Sequence, residues 1–129
     1  MILLDTSAWV EFLRDTGSRV CEQVDQLLEA EIATCDAIRM EVLAGARNAR
    51  HLTELRRLLA RASLLPIEPA DFEEAAALYR SCRENGETVR KLMDCLIAAG
   101  AIRAGVPVLQ ADVDFETLAR HTPLQLYGD

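Results

Sequence analysis

The sequence has few of the residues that build zinc sites, disulfide frameworks or membrane spans. Only two histidines, His51 and His121, occur among 129 residues, and the four cysteines are widely spaced without a CxxC pair. This pattern excludes the ligand spacing of a structural zinc site. No uncharged apolar stretch approaches the ~18 residues of a membrane-spanning helix. The opening segment carries Asp5 and Glu11 without a basic leader, so we expect no signal peptide and a cytoplasmic protein with reduced thiols.

Basic charge is also scarce, and nearly all of it is arginine. Fourteen Lys and Arg residues face 21 Asp and Glu residues, which gives a net charge of -7, and Lys91 is the only lysine. An acidic balance argues against a nonspecific nucleic-acid coat, because phosphate-binding surfaces are usually basic. The length, with 50% hydrophobic residues and no repeat or linker, predicts a single globular domain over residues 1–129.

Short apolar runs alternate with helical patterns along the whole chain. Strands are predicted over 1–4, 31–35 and 106–110, with a possible last strand at 124–126. Helices are predicted over 6–14, 20–28, 36–45, 50–62, 69–85, 94–103 and 113–120. Thr6 or Ser7 is expected to cap the first helix, and Asp36 the third. This alternation predicts an α/β fold with a short central parallel sheet flanked by helices on both faces.

Two predicted helices carry residues that are patterned on one face. The helix after Pro69 is expected to bury an inner stripe of Phe72, Ala75, Ala76, Tyr79 and Cys82. On the preceding helix, Arg50, Arg57 and Arg61 fall within about 40° of one another at ~100° per residue. This arginine stripe is either a solvated face or a track for RNA.

Acidic side chains follow the predicted strands. Asp5 ends the first strand, and Asp112 and Asp114 come shortly after the strand at 106–110. Active sites collect at the carboxyl ends of parallel strands, so these acids are expected to share one crevice. Glu41 lies on the helix after the second strand, and Asp94 near the start of a strongly apolar helix.

Several carboxylates in one crevice require a cation. An acid among apolar groups is costly unless it is paired or bound to a metal, and neighbouring carboxylates raise one another's pKa. An all-oxygen ligand set selects Mg²⁺ or Mn²⁺, and a carboxylate site without histidine suits phosphate chemistry.

Each acid also has an ordinary structural interpretation when it is taken alone. Asp5 can simply cap the first helix, and Glu41 can be a solvated helix residue. Asp112 and Asp114 fit a loop and a helix N-cap. Asp94 is harder to explain in this way because its neighbours are apolar.

Four segments carry a resemblance to a known family. They read LLDTSAWVEF, RMEVLAGA, MDCLIAAGAIRAGVPVL and ADVDFETLA. Together and in this order they resemble PIN-domain proteins, most of all the VapC-type toxins of bacterial toxin–antitoxin pairs. The resemblance extends from Met1 to about Ala119.

The resemblance implies a Mg²⁺-dependent endoribonuclease, with Mn²⁺ as a possible substitute. By position, Asp5 and Asp94 match metal ligands of the family, and Glu41 matches its helical glutamate. The last acid of the family comes from a D-x-D-F-like element, in which both Asp112 and Asp114 precede a phenylalanine. We place Asp112 nearest the metal and Asp114 in a supporting position, and the choice between them stays open.

The resemblance also implies partners. A VapB-type antitoxin is expected to cover the acidic crevice, and the toxin is expected to form a homodimer through an apolar surface near Trp9, Val20 and Val24. Thr6 matches a hydroxyl residue that orients water or a ligand. Candidate contacts to RNA phosphates are Arg47, Arg50, Arg57, Arg61, Arg90 and Lys91.

Three other classes of protein are alternatives to this interpretation. A phosphoacceptor receiver domain needs paired early acids and a lysine after a late strand, whereas only Asp5 is early and Lys91 precedes a helix. A haloacid-dehalogenase-type phosphatase needs a second acid where Ser7 stands. A non-catalytic interaction module with the PIN architecture is the main alternative, and a metal-binding assay discriminates it from a nuclease.

Overall fold

A short parallel sheet organises the molecule. The computed structural model describes residues 1–128. The strands are β1 (Ile2–Leu4), β2 (Ile32–Thr34), β3 (Ser63–Leu64) and β4 (Val108–Leu109), in the order β3-β2-β1-β4. All three strand pairs are parallel, so helical segments connect them. The helices are α1 (Thr6–Leu13), α2 (Arg19–Leu27), α3 (Asp36–Ala44), α4 (Ala49–Leu59), α5 (Pro69–Glu84), α6 (Leu92–Ala104) and α7 (Val113–His121).

Both faces of the sheet are covered. Successive side chains of a strand point to opposite faces, yet Leu3 and Leu4 of β1 are both fully buried. The same holds for Val108 and Leu109 of β4. The predicted α/β fold with a covered parallel sheet is therefore confirmed.

Helix α6 is the most deeply buried helix of the fold. Every residue from Asp94 to Ala101 is buried, because its small side chains let α5 approach closely. At Gly100, an added Cβ would lie 2.7 Å from Cδ1 of Ile67. An acid in such a helix lies close to the core of the molecule, which decides the electrostatics of the site described below.

Helix starts and strand ends differ in detail from the predictions. Asp5, and neither Thr6 nor Ser7, caps α1 by accepting from the backbone N–H of Ser7. Cys35 is the N-cap of α3, with Asp36 as the first helical residue. Strand β3 was not predicted because its two residues are exposed and form no apolar run. The predicted last strand is reduced to an isolated bridge between Leu126 and Val108.

The predicted inner stripe of α5 is partly wrong. The buried residues of this helix are Asp71, Ala75, Leu78 and Cys82, whereas Phe72 is 61% exposed. Asp71 accepts from Arg103 Nε of α6 at 3.0 Å and from the backbone N–H of Glu68 at 2.9 Å. These bonds turn the face that contains Asp71 inward, so the apolar residues at 72 and 76 point outward.

Burial also settles two other expectations. All four cysteines are free and buried, as predicted. Trp9 and Val24 are fully buried within the chain, because α1 packs against α2. The expectation that Trp9 and Val24 form a dimer surface is therefore wrong, whereas Val20 is only half-buried. None of the helices within residues 1–128 has the length and apolar composition needed to cross a membrane.

Candidate metal centre

The predicted acids meet in one crevice at the carboxyl ends of β1 and β4. The crevice has a volume of about 290 Å³ and includes four of them in its lining, namely Asp5, Glu41, Asp94 and Asp112. Asp5 follows β1 directly, and Asp112 lies three residues after the end of β4. The parallel topology thus brings together side chains that are about a hundred residues apart in sequence.

Asp5 has two roles that the sequence presented as alternatives. Its Oδ2 atom accepts from the backbone N–H of Ser7 at 2.9 Å and from Ser7 Oγ at 2.6 Å, which makes it the N-cap of α1. Its Oδ1 atom is buried and has no hydrogen-bond partner within residues 1–128. Burial raises the pKa of this carboxyl, and the charge of Glu41 adds to the effect.

Asp94 is a buried acid with a strongly raised pKa. It lies in the first turn of α6 and is only 3% exposed. Burial, followed by the negative charge of Asp5, raises its pKa to about 7. Its Oδ2 atom accepts no hydrogen bond from any described residue, and the Lys91 ammonium lies 3.7 Å from it.

Asp112 and Asp114 complete a cluster with Asp94. One oxygen from each of the three carboxyls lies within 4.8 Å of the others. Asp112 caps α7 by accepting from the backbone N–H of Asp114 at 2.9 Å. Burial is the largest single influence and raises the pKa of Asp112, but the hydrogen bonds from Lys91 and the Asp114 N–H, together with the charges of Lys91 and Arg90, outweigh it. The net pKa therefore lies below the ordinary value. Asp114 is buried beneath the cluster, and no described residue donates to its Oδ2 atom.

The two basic residues before α6 pair with these acids. Lys91 donates to Asp112 Oδ2 at 2.5 Å. Arg90 lies 3.3 Å from Asp112 Oδ1 through Nη2 and 3.3 Å from Asp114 Oδ1 through Nε. Both were predicted to contact RNA phosphates. In the structure they neutralise part of the acidic cluster and remain more than half exposed.

The other predicted RNA contacts do not line this crevice. They comprise Arg47, Arg50, Arg57 and Arg61. Arg61 follows the end of α4 and pairs with Glu29 at 3.3 Å, so the predicted stripe is shorter than expected. Arg50 pairs with Glu54 at 3.6 Å on an exposed helix face, a contact of little energetic weight.

Glu41 is held by a hydroxyl group. Thr6 Oγ1 donates to Glu41 Oε1 at 2.8 Å, which joins the start of α1 to α3 at the rim of the crevice. Both residues were predicted to belong to the site, and the structure brings them together.

Ser7 is a site residue that was missed in the sequence analysis. Its Oγ atom donates to Asp5 Oδ2 at 2.6 Å and accepts from the backbone N–H of Ala111 at 2.9 Å. One hydroxyl therefore links the β1–α1 junction to the loop that carries Asp112. Only its position directly after an acid and a threonine at a strand end hinted at this role.

We expect Ser7→Ala to loosen this link. The change removes two hydrogen bonds, and the loss of the one to the buried Asp5 carboxylate carries most of an expected cost of about 1–3 kcal/mol of unfolding free energy. Urea unfolding of the metal-free protein measures the loss, and divalent-metal titration is expected to show weaker binding. Ser7→Thr keeps the hydroxyl and is the control. Equal unfolding free energies for Ser7→Ala and wild type would contradict the linking role.

The unpartnered carboxylate oxygens fit a divalent cation. Within residues 1–128, Asp5 Oδ1, Asp94 Oδ2 and Asp114 Oδ2 are buried without hydrogen-bond partners. A buried carboxylate oxygen is costly unless a donor or a metal satisfies it. The atoms that could bind a cation here are carboxylate oxygens, and oxygen is the ligand that Mg²⁺ and Mn²⁺ prefer.

The raised pKa of Asp94 predicts an unusual pH dependence of stability in EDTA. The folded protein holds a proton on Asp94 up to about pH 7, whereas the unfolded chain releases it near the ordinary value of 3.8. Stability is therefore greatest at the acid end of this window and falls as the pH rises from about 4 to 7. At about 1.4 kcal/mol per pKa unit, the loss is on the order of a few kcal/mol.

Urea unfolding at a series of pH values measures this slope. Asp94→Asn does not titrate and is expected to flatten the profile in the same window. A wild-type stability that is constant or rises between pH 4 and 7, with Asp94→Asn following the same curve, would contradict the assignment.

Comparison with known proteins agrees with this geometry. The model of the family described as PIN domain matches residues 2–121. Ribonuclease VapC11 of Mycobacterium tuberculosis is 49% identical over an alignment of 129 residues. The alignment covers 97% of this chain and 96% of that protein. Ribonuclease VapC51 of the same species is 31% identical and covers 93% of this chain and 86% of its own length.

A solved structure shares the fold. The structure of VapBC2 from Rickettsia felis, bound to a DNA fragment from its promoter, superposes with a TM-score of 0.77 at 19% identity and covers 98% of this chain and 97% of the matched chain. PIN-domain nucleases depend on a metal ion, which accords with the acidic cluster. The family model and the close relatives establish that the chain belongs to the PIN-domain family and, within it, to the VapC ribonucleases.

Proposed function

We propose that the chain is a Mg²⁺-dependent endoribonuclease and the toxin of a toxin–antitoxin pair. The three buried, unpartnered carboxylate oxygens of the acidic cluster carry this proposal. The name of the 49% identical relative, a ribonuclease, supports RNA as the substrate. We also infer that residues 1–129 form one domain and that the protein works in the cytoplasm.

Asp5 and Asp94 are the residues that would hold the metal. Asp112 completes the site from the crevice wall, and Asp114 supports it from below. When bound, a divalent cation supplies Lewis acidity that lowers the pKa of water and neutralises charge on a phosphodiester. Mg²⁺ is the proposed ion, with Mn²⁺ as a substitute, because the donors are hard oxygen atoms.

The remaining groups of the crevice position the water and the RNA. Glu41, fixed by Thr6, is placed to orient water or accept its proton at the rim. Lys91 and Arg90 are more than half exposed, so they can turn toward an RNA phosphate once a metal neutralises the acids. Attack by water in line at phosphorus leaves a 5′-phosphate and a 3′-hydroxyl.

A protein antitoxin is the proposed regulator. A chain of VapBC2 from Rickettsia felis has the same fold, and the VapBC family consists of toxin–antitoxin systems. Among the described residues, five acids and one lysine line the crevice, and a basic side chain of a VapB-type antitoxin complements this charge. We also propose a homodimer as the assembled toxin.

Incubation of purified, antitoxin-free protein with total cellular RNA tests the proposed activity. We expect discrete cuts in the presence of Mg²⁺ that disappear when EDTA is added. Folded protein that makes no cuts in Mg²⁺ or Mn²⁺ would overturn the proposal in favour of a non-catalytic interaction module.

A further inference from the structure

Helix α5 presents a second apolar stripe on its outer side. Phe72, Ala76, Tyr79 and Arg83 fall within about 60° of one another at ~100° per residue. Phe72 is 61% exposed, and Ala76 and Arg83 are also exposed. Tyr79 is half-buried against the core, whereas Phe72, Ala76 and Arg83 lie on the exposed side of the helix, away from the face that packs against α6.

A groove of about 580 Å³ lies between this stripe and the segment that leads into α6. Its lining includes three arginines, Arg80, Arg83 and Arg90, and among the described residues it includes no carboxylate. The charged side chains of the lining are therefore all positive, although Arg80 also pairs with Glu84 at 3.7 Å and Arg90 with the acidic cluster. Charge of this sign complements a phosphodiester backbone.

The floor of the groove combines an aromatic ring with a guanidinium group. Arg83 Cζ lies 5.6 Å from the centroid of the Tyr79 ring, and no ion pair joins Arg83 to a carboxylate within residues 1–128. Tyrosine rings and arginine planes are the surfaces on which unpaired bases stack in RNA-binding proteins. The exposed Leu92 adds apolar area beside them.

Arg90 connects this groove to the acidic cluster. It lines the groove, and its guanidinium group reaches Asp112 and Asp114 at 3.3 Å each. A strand with one phosphate at the crevice therefore passes directly over Arg90 toward Tyr79.

We propose that this groove, the Tyr79 groove, binds an unpaired nucleotide that flanks the phosphate to be cut. The base stacks against Tyr79 and Arg83, and the backbone contacts Arg80 and Arg90. The proposal rests on the proposed ribonuclease function and adds a place on the chain for the base beside the cut.

Fluorescence anisotropy with a labelled single-stranded RNA and its duplex tests the groove. The measurements use full-length protein in an Asp94→Asn background, in which the bound RNA stays intact. We expect Tyr79→Ala to weaken single-strand binding about tenfold, which is about 1.4 kcal/mol. Tyr79→Phe is expected to bind the single strand like the parent because it keeps the ring. Arg83→Ala is expected to weaken single-strand binding.

The controls separate base stacking from the loss of a positive charge elsewhere on the surface and from unfolding. Arg56→Ala removes an exposed arginine on α4, outside the groove, and is expected to leave single-strand binding unchanged. The parent is expected to bind the duplex more weakly than the single strand. A thermal melt of each variant checks that the protein remains folded, which matters most for Tyr79→Ala because Tyr79 is half-buried.

Other outcomes overturn the inference. Equal single-strand binding by Tyr79→Ala and its parent would reject the groove, as would a parent that binds no RNA, because its groove is intact. A change in oligomeric state without a change in RNA binding would identify the face as a contact between copies of the chain. Cleavage of cellular RNA by wild type is measured separately, so the groove can fail while the proposed nuclease stands.

Discussion

Replacing Asp94 with asparagine is expected to abolish RNA cleavage and, at the same time, to raise the melting temperature of the metal-free protein. Removal of an electrostatic group from a nuclease site is expected to lower the rate at least about a hundredfold. The stability gain follows because the Asp94 charge is buried beside Asp5, which raises the pKa of Asp94 to about 7. Asparagine has the same shape without that charge.

The two effects have opposite signs, and this distinguishes a functional acid from a structural one. Cleavage of RNA in Mg²⁺ and thermal melts at pH 8 in EDTA measure them. Asp25→Asn makes the same chemical change at an exposed position of α2 and is expected to alter neither. Wild-type cleavage by Asp94→Asn, or a lower melting temperature at pH 8, would contradict the role of Asp94.

Asp5→Asn and Asp5→Ala are expected to separate the two roles of Asp5. Asparagine is as good an N-cap as aspartate, so Asp5→Asn keeps the bond from the Ser7 N–H while it removes the charge. We expect cleavage to fall at least about a hundredfold with the fold intact. Asp5→Ala also loses the cap, and its unfolding free energy is expected to be about 1 kcal/mol lower than that of Asp5→Asn.

Cleavage assays and urea unfolding of both variants measure these differences. Ser18→Ala removes the cap of α2, which lies outside the crevice, and shows what the loss of a cap alone does to cleavage. Full activity of Asp5→Asn would mean that Asp5 is only a helix cap.

The site was largely predictable because its acids follow strand ends in the sequence. Parallel topology brings Asp5 and Asp112 to one edge of the sheet, and the apolar neighbours of Asp94 indicated its burial. The roles of Ser7 and Lys91 could not be predicted from the sequence in the same way. Both depend on loop conformations that place a hydroxyl or an ammonium group within hydrogen-bond reach of acids far away in sequence.

Helix α5 shows why a helical pattern does not always identify the buried face. It carries apolar residues on two sides, and the outer set contains the larger side chains, Phe72 and Tyr79. The inner face is instead anchored by a charged residue, Asp71, through Arg103 on α6. An ion pair between two helices leaves no periodic signal, so hydrophobicity alone correctly predicted the burial of Ala75 and Cys82 but wrongly that of Phe72 and Ala76.

The chemistry of the RNA ends tests the central claim most directly. If the acidic crevice uses a metal ion to activate water, each cut made in Mg²⁺ carries a 5′-phosphate and a 3′-hydroxyl. Adapter ligation that requires a 5′-phosphate, followed by sequencing, detects these ends. Fragments with a 5′-hydroxyl and a 2′,3′-cyclic phosphate would show that the RNA 2′-hydroxyl is the nucleophile, and would contradict the account.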